Sequence, residues 1–338
     1  MVQRRDAVGV REVARHAGVS IGTVSNVLNR PEKVGKMTRR IVQNAMNELG
    51  FVPLRAAGQL RGGSSGLIGV IVPDVGNMYW ASVLRGIEAT IDAQGLTMIV
   101  ASTRQSKFRQ REQLRSMQSQ GVDGLIVAPI AEQKDEWSYF QRKTKFGLIL
   151  VSAMADKDIA SVRTNDLRGA QIGIQHLLDM GHRHIAFING PHFVPWCLER
   201  YQGAYKAIVD SGYENEISFS EVLVEDLTMD EGAQAASRVF DEGIATAIMC
   251  ANDMLALGVI KAAKEKGIAI PESVSVVGYD DSEFSALVDP PLTTIRQPSF
   301  QLGVEAAQLL LQEREQGDIP SVVFEPELID RLSTSAVG

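Results

Sequence analysis

The chain has 338 residues, of which 45% are hydrophobic and 22% charged, with a formal net charge of −7. This composition excludes disorder as the main state, and the length exceeds what one hydrophobic core usually serves, so two or more domains are expected. The apolar runs, such as residues 67–73, are too short to cross a bilayer, and no signal peptide is recognisable. Because Cys197 and Cys250 lack metal-site spacing, we expect a reduced, cytoplasmic protein.

Charge is distributed unevenly along the chain. Residues 1–62 contain 11 Lys/Arg and 4 Asp/Glu, a net charge of +7, whereas residues 63–338 contain 23 and 37, a net charge of −14. A basic, solvated tail would have low-complexity sequence, but this segment is patterned. The asymmetry therefore indicates a polyanionic partner such as nucleic acid for the N-terminal part.

The first 30 residues predict two short helices joined by a tight turn. Residues 10–16 form the first helix, whose inner stripe consists of Val10, Val13, Ala14 and Ala17. Gly18 ends it, and the Ser20 hydroxyl is placed to cap a second helix over residues 21–29. Two helices connected in this way form a helix-turn-helix, so we expect an all-α DNA-binding head.

A third helix is predicted over residues 37–49, and its inner stripe consists of Ile41, Ala45, Met46 and Leu49. Gly50 ends this helix. Residues 54–61 predict one more short helical segment, which the glycine-rich residues 62–66 follow as a flexible linker.

After residue 66, apolar runs of strand length alternate with amphipathic segments of helix length. The predicted strands are residues 67–72, 96–101, 124–128, 148–151, 185–188, 221–224, 245–250 and 274–277. The helices between them include residues 79–94, 109–120, 167–180, 198–210, 230–242 and 253–266. This alternation indicates parallel sheets covered on both faces, in numbers that predict two α/β lobes. The carboxyl ends of the strands of both lobes can then face one ligand cleft.

Motifs for enzyme or metal chemistry are weak. Residues 62–66 match G-x-S-x-G, but a nucleophile elbow follows a strand and precedes a helix, and the order here is the reverse. His182 and His184 lie between a helix end and a strand start with no third ligand nearby in sequence, which favours cationic capping of the helix. We therefore predict no enzyme activity, no cofactor and no metal.

The motifs resemble those of the lac repressor family of bacterial transcriptional regulators over nearly the whole chain. In the head, the matching segments are residues 10–20 and 23–29, Thr38 with Arg39, residues 50–53, and Gln59 with Leu60. In the core, they are Asn165, residues 181–183, residues 189–191, Arg200 with Gly203, and residues 251–253, 276–281 and 291–295. The resemblance implies a dimeric regulator that reads a near-palindromic operator. It also implies a periplasmic sugar-binding-protein-like core that binds a small effector.

The resemblance also implies a domain organisation. The head would span residues 1–53, the hinge helix and linker residues 54–66, and the effector-binding and dimerisation core residues 67–338. Within that core, the N-terminal lobe would comprise about residues 67–166 plus 297–325, and the C-terminal lobe about residues 167–296 plus 326–338.

Roles in DNA binding follow from the resemblance. The base-reading positions would be Ile21, Gly22 and Asn26. The backbone-contacting positions would be Ser20, Thr23, Ser25, Asn29 and Arg39. The Asn26 amide can form paired hydrogen bonds with adenine, and a contact with phosphate or solvent is the alternative. Leu60, beside Ala57, would enter the minor groove as an apolar wedge, with an ordinary core leucine as the alternative.

Effector-binding positions are implied in the same way: Tyr79, Trp80, Trp196, Arg200, Asn252, Asp280 and Gln297. For the two tryptophans, the lobe core is the alternative. The charged Arg200 and Asp280 suit a core less well, because an unpaired buried charge is costly. Ser152 and Thr164 depart from the acidic residues common in the family near the cleft, which leaves a sugar, a polyol, a nucleoside or another small metabolite open.

An effector-responsive repressor is the function that these observations favour. A solute-binding protein would have a signal peptide and no basic head, and a two-lobed enzyme would need catalytic residues. The C-terminal residues 331–338 contain no leucine heptads, so a dimer is expected rather than a tetramer. The sequence does not identify the effector, the operator, or whether the effector releases the protein from DNA or recruits it.

Overall fold

The computed structural model describes residues 8–51, 64–131, 133–153, 159–312 and 321–337. The chain forms two compact units, residues 1–65 and residues 66–338. The predicted hinge residues Ala57 and Leu60 lie outside the described residues.

The N-terminal unit is a small all-α head. Its helices are α1 (Val10–His16), α2 (Ile21–Asn29) and α3 (Lys36–Leu49), with a 3₁₀ turn at Pro31–Lys33. Its core consists of Val13, Ala14, Val24, Val27, Val42, Ala45 and Met46. Gly18 and Gly50 adopt left-handed backbone angles, and the Ser20 hydroxyl accepts a hydrogen bond from the amide of Thr23 at 3.0 Å. The predicted helix-turn-helix is confirmed.

The predicted inner stripe of α3 was wrong in one position. Ile41 is 45% exposed, whereas its neighbour Val42 is fully buried. Val42, Ala45, Met46 and Leu49 follow the i, i+3, i+4, i+7 spacing of one helix face, so Val42 completes the stripe and Ile41 lies beside it.

The first lobe of the larger unit is built on a six-stranded sheet in the order β11-β5-β4-β3-β1-β2, in which all neighbours run parallel. Its strands are β1 (Leu67–Val72), β2 (Thr97–Ser102), β3 (Gly124–Val127), β4 (Gly147–Val151), β5 (Ala160–Thr164) and β11 (Ser321–Phe324). Its helices are α4 (Met78–Asp92), α5 (Lys107–Gln120), α6 (Lys134–Lys143) and α11 (Ser299–Leu311).

The second lobe is built on another six-stranded sheet, in the order β12-β10-β9-β8-β6-β7. Its strands are β6 (His184–Asn189), β7 (Ser218–Leu223), β8 (Ala247–Cys250), β9 (Ser275–Asp280), β10 (Thr293–Arg296) and β12 (Glu327–Ile329). Its helices are α7 (Asp166–Asp179), α8 (Pro195–Asp210), α9 (Met229–Glu242) and α10 (Asp253–Lys266). Only β12 pairs antiparallel among the described strands. The predicted two-lobed α/β class with mostly parallel sheets is confirmed.

Glycines let paired helices on these sheets touch backbone to backbone. A Cβ atom added to Gly86 on α4 would lie 2.1 Å from the carbonyl oxygen of Phe300 on α11. One added to Gly203 on α8 would lie 2.0 Å from the carbonyl oxygen of Leu167 on α7. Each lobe is therefore closely packed, because no side chain separates the helices at these points.

The chain passes between the two sheets three times: from β5 into α7, from β10 into α11, and from β11 into β12. Neither lobe is a continuous stretch of sequence as a result. The loops that follow β1, β2 and β4 in one lobe, and β7, β8 and β9 in the other, line one cavity.

Candidate ligand cleft and nucleic-acid interface

Helix α2 has one buried and one exposed face. Val24 and Val27 lie in the core of the head, while Ile21 is 50% exposed and Gly22 and Asn26 are also exposed. Ile21 begins the helix and Asn26 lies five residues further along it, and an exposed apolar side chain and an exposed amide on one helix suit contact with base edges in the major groove.

The predicted phosphate-contacting residues lie in different surroundings. The hydroxyls of Ser20 and Thr23 are 2.9 Å apart at the first turn of α2, and Ser25 is half-buried on the same helix. The side chain of Asn29 lies outside the described residues. The Arg39 guanidinium donates to the carbonyl oxygens of Pro31 and Val34, so it ties α3 to the preceding turn. Arg39 is therefore a structural residue of the head, which the sequence alone did not show.

The cavity of the larger unit encloses about 860 Å³, including its open mouth. Residues of the first lobe that line it are Pro73, Asp74, Asn77, Tyr79, Trp80, Arg104, Gln105 and Ser152. Residues of the second lobe that line it are Trp196, Arg200, Asp226, Leu227, Thr228, Asn252 and Asp280. Six of the seven predicted effector positions are brought together here. The seventh, Gln297, lies behind the wall and donates from Nε2 to Oδ1 of Asp280 at 2.7 Å.

An aromatic cluster joins the two lobes at the cavity. The ring centroids of Trp80 and Trp196 are 6.1 Å apart in an edge-to-face arrangement, and Tyr79 packs in the same way on Trp80 at 4.9 Å. Both tryptophans belong to the apolar core that contains Tyr79, and both also line the cavity. Burial raises the pKa of Tyr79, so its hydroxyl stays protonated and lies 3.1 Å from the Ser152 hydroxyl.

Arg200 is a buried cation with a buried carboxylate partner. Its Nε and Nη2 atoms lie 2.8 and 2.7 Å from one oxygen of Asp166, and its Nη1 donates to the carbonyl of Ala251. The guanidinium carbon lies 3.7 Å from the centre of the Tyr279 ring. Burial alone would lower the pKa of Arg200, but the charges of Asp166 and its other neighbours raise it overall. Arg200 is therefore held as a permanent cation.

Asp280 is the buried carboxyl of the cavity. Burial raises its pKa well above the ordinary value, although Arg200 and the amide of Gln297 act in the opposite direction. Its backbone φ is +116°, and the next residue, Asp281, has a φ of +55°. The carboxylate of Asp281 accepts hydrogen bonds from Arg296 at 2.7 Å and from Arg331 at 2.6 Å, which holds the turn that carries Asp280.

Backbone strain is concentrated at the cavity. The non-glycine residues with positive φ among those described are Arg104, Gln105, Ser152, Asp280 and Asp281. The first four line the cavity. Strained backbone of this kind persists where the surrounding structure imposes it, and it is concentrated at ligand and catalytic sites.

Asn252 has a structural role as well as a place in the wall. Its Oδ1 caps α10 by accepting from the amide of Leu255 at 2.9 Å, and its Nδ2 donates to the carbonyl of Leu227 at 3.2 Å. Sequence reasoning did not single out the lining residues Asp74, Asn77, Arg104, Gln105, Asp226 and Thr228 as binding candidates. Their common signal is position, because each follows the carboxyl end of a parallel strand or begins the next helix.

A metal centre and a membrane span would each show as a recognisable pattern in the described part of the chain. No cluster of three His, Cys, Asp or Glu side chains there could hold a metal ion. Among the helices of that part, none is long and apolar enough to cross a membrane.

A helix-turn-helix head carried on the same chain as a two-lobed α/β core, whose cleft is lined by aromatic and charged side chains, defines a ligand-responsive DNA-binding regulator. Residues 10–53 match the family described as bacterial regulatory proteins, lacI family. Residues 174–334 match a periplasmic binding protein-like domain. The transcriptional repressor PurR of Aliivibrio fischeri is 32% identical over 340 residues, which cover 96% of this chain and 98% of that protein.

Solved structures agree with these matches. The lac repressor dimer bound to operator and the anti-inducer ONPF superposes with a TM-score of 0.81 at 30% identity, covering 98% of this chain and 100% of that one. A lacI-family regulator of Enterococcus faecium with bound ribose gives a TM-score of 0.72 at 28% identity, covering 80% and 100%. The chain belongs to the lacI family of bacterial regulatory proteins. It is a DNA-binding transcriptional regulator that responds to a small molecule, and not an enzyme.

Proposed function

We propose that the protein is a repressor that binds a palindromic operator as a homodimer and changes its operator affinity when a small metabolite binds in the cleft. The observation that carries the ligand-binding part is the cavity between the lobes, where four strained residues and the buried Arg200 and Asp280 meet. Such a concentration of buried charge and backbone strain lowers the stability of the fold. Residues of this kind cluster at ligand-binding and catalytic sites, where their function outweighs that cost.

Operator binding is assigned to the exposed face of the head. Ile21, Gly22 and Asn26 read base edges, while Ser20, Thr23, Ser25 and Asn29 contact phosphates. Arg39 reaches a phosphate only through N–H groups that its two carbonyl partners leave available. Ala57 and Leu60 of the hinge enter the minor groove. The lac repressor structure, a dimer bound to its operator, supports this assignment by similarity.

The domain organisation expected from the sequence is part of this proposal: a head at residues 1–53, a hinge and linker at residues 54–66, and a core at residues 67–338. The boundaries between the two lobes of this core lie where the chain crosses from one sheet to the other, near residues 166, 297 and 325. Tyr79, Trp80, Trp196, Arg200, Asn252 and Asp280 bind the effector, and Gln297 orients Asp280. A transcription regulator acts where the DNA is, so the cytoplasm is its proposed location.

Selection from randomised double-stranded DNA with the full-length protein tests the operator part. We expect enrichment of a palindrome whose half-sites match two heads related by two-fold symmetry. Sedimentation of the same preparation should show a dimer at micromolar concentration. Enrichment of no sequence, or of an asymmetric site bound by a monomer, would contradict the proposal.

A further inference from the structure

We propose that Arg142, Lys143 and Lys145, here called the basic cluster, form a second, sequence-independent DNA contact, through which the core binds phosphates of the duplex beside the operator. This inference goes beyond the proposed function, because the cluster reads no base and takes no part in effector binding. It rests on DNA binding by the head, which brings duplex DNA close to the core.

The basic cluster lies at the edge of the first lobe where the chain enters from the head. Helix α6 ends at Lys143, and a short turn leads from it into β4. In that turn the amide of Phe146 donates to the carbonyl of Asp123 at 2.8 Å, while the carboxylate of Asp123 accepts from the amide of Gly66 at 2.7 Å. Because β4, β3 and β1 are neighbours in the sheet, the backbone of Lys145 lies two strand spacings, about 10 Å, from that of Gly66. The cleft lies at the opposite, carboxyl ends of the same strands.

The cluster is a concentrated positive patch on an otherwise acidic core. Residues 63–338 carry a net charge of −14, yet residues 142–145 contain three cations and no carboxylate. All three side chains are exposed, and within the described part of the chain none of them is paired with a carboxylate. The Lys145 ammonium packs over the neighbouring ring of Phe146, with 4.6 Å between Nζ and the ring centroid. Exposed, unpaired cations at this density favour a polyanionic partner.

Stabilisation of α6 explains only part of the cluster. Arg142 and Lys143 lie in the last turn of this helix, where positive charge offsets the helix dipole. Lys145 lies beyond the end of the helix and has no such role. The exposed Asp92 precedes β2, which is three strands from β4, or about 15 Å, and exposed charges interact only over about 8 Å in physiological salt. The cluster therefore keeps its positive charge for an external partner.

The short connection to the head identifies that partner as DNA. The hinge and linker expected from the sequence comprise 13 residues, 54–66, which span at most about 45 Å when fully extended. A head bound to DNA therefore keeps Gly66 within this distance of a duplex that carries one negative charge per about 1.7 Å. A tethered site meets such phosphates at a millimolar effective concentration, so contacts too weak to act alone add to operator affinity. An acidic protein partner has no such tether.

The test compares a variant of the basic cluster with a matched variant elsewhere in the core. The cluster variant has all three cations changed to Gln, which removes the charge and keeps a residue that helices accept. The control variant removes the same charge from the end of α10 in the second lobe, through Lys261→Gln, Lys264→Gln and Lys266→Gln. The full-length proteins are titrated with three duplexes at several salt concentrations. Two contain the selected palindrome within about 20 and about 60 base pairs, and the third has about 60 base pairs of random sequence.

Wild type and the control variant should bind the long operator duplex at least about tenfold more tightly than the short one, and the cluster variant should lose most of this difference. On the random duplex, the cluster variant should reduce the slope of log affinity against log salt by at least about two units per dimer, because each lost phosphate contact removes about 0.9 unit. The selected consensus should stay the same, since phosphate contacts carry no sequence information. If the cluster variant fails to fold, Lys145→Gln alone, which leaves α6 intact, should give a smaller loss in the same direction.

Equal salt slopes in the cluster variant and the control variant would overturn the inference, as would an equal preference for the longer operator duplex. A cluster variant that melts at a lower temperature but binds every duplex as wild type does would assign the cations to the stability of α6 alone. The random duplex keeps this inference separate from the proposed function. If no palindrome is selected but the salt slope still falls, the core contact stands and the operator assignment fails.

Discussion

Arg331, seven residues before Gly338, donates a hydrogen bond at 2.6 Å to Asp281, the residue that follows Asp280 at the cavity. Both side chains are largely buried, and a second N–H of Arg331 bonds the carbonyl of Leu292 at 2.7 Å. The end of the chain therefore holds the strained turn that presents Asp280 to the cavity, although Arg331 itself is absent from the cavity wall.

Replacing Arg331 with Met should lower stability, because the Asp281 carboxylate loses a partly buried, charged hydrogen bond. The expected cost is about 1.5–3 kcal/mol, measured as the free energy of unfolding in urea. Arg331→Lys should recover part of the loss, since the ammonium keeps the charge but not the second bond. Arg168→Met is the matched control, because the Arg168 side chain is exposed and, among the described residues, bonds only Gln171. Equal losses for the two Met variants would contradict the role given to Arg331.

Asn26→Ala should relax base preference at one position of each operator half-site. A paired amide contact with adenine is worth about 1–3 kcal/mol of discrimination, so affinity for the consensus falls while affinity for its single-base variants changes less. The measurement is operator selection repeated with the variant. Asn47→Ala, an exposed asparagine on α3, provides the control and should return the wild-type consensus. A consensus unchanged by Asn26→Ala would show that Asn26 does not read a base.

Arg39→Ala should destabilise the head, because the guanidinium links the 3₁₀ turn at Pro31–Lys33 to α3. Loss of these bonds is expected to cost about 1–3 kcal/mol and to weaken binding to all DNA sequences alike. A residue that only contacts phosphate would instead reduce the salt dependence by about one unit of slope without changing stability. Thermal melting and salt titration together separate the two roles. Arg40→Ala, an exposed neighbour on the same helix, controls for the loss of charge.

The stability of the larger unit should fall as the pH drops below about 6.5. His182 is 3% exposed and bonds the hydroxyls of Thr246 and Ser275 and the carbonyl of Ser335. Burial lowers its pKa, although the Ser335 carbonyl opposes this. His182 therefore binds a proton at a higher pH in the unfolded chain than in the folded one. Its contribution to stability is fully present above the pKa of the unfolded state and is lost as the pH falls towards the pKa of the folded state.

Melting temperatures between pH 7.5 and 5.0 measure this effect. His182→Gln removes the titrating group and should flatten part of the slope, whatever its effect on stability at pH 7.5. The control is His184→Gln, because His184 is exposed at the start of β6. If melting temperature depends on pH as steeply in His182→Gln as in the control, the pH dependence belongs to other groups. His176 is one such group, because burial also lowers its pKa.

The parts of the fold that were predictable from sequence are those with uninterrupted patterns. Strand β1 is one uninterrupted run of six residues, and its predicted ends match the structure. In contrast, β5 was missed because Ser161 and Arg163 interrupt it. Helix α6 was missed because, among its side chains that the structure describes, only Trp137 and Phe140 are buried. Helix α11 was also missed, despite a largely apolar sequence.

The cleft was predictable only where a residue type is unusual for its surroundings. Trp80, Trp196, Arg200 and Asp280 were named for that reason and through the family resemblance, and all four line the cavity. Asp166 was not, because its role depends on Arg200, which is 34 residues away in sequence and comes close only through the packing of α7 on α8. Loop residues such as Asp74 and Arg104 depend in the same way on which loops face each other.

The position of β11 in the first sheet has a consequence for synthesis on the ribosome. The N-terminal lobe needs β11 beside β5 and α11 beside α4, yet these elements end at residues 324 and 311 of a chain of 338. Domains generally fold as units while the chain emerges. This lobe must instead wait, with one edge of β5 and the face of α4 around Gly86 uncovered, until residues 299–324 have been synthesised. Nascent chains truncated before residue 299 should therefore depend on chaperones. The head can fold much earlier in translation, before the lobe is complete.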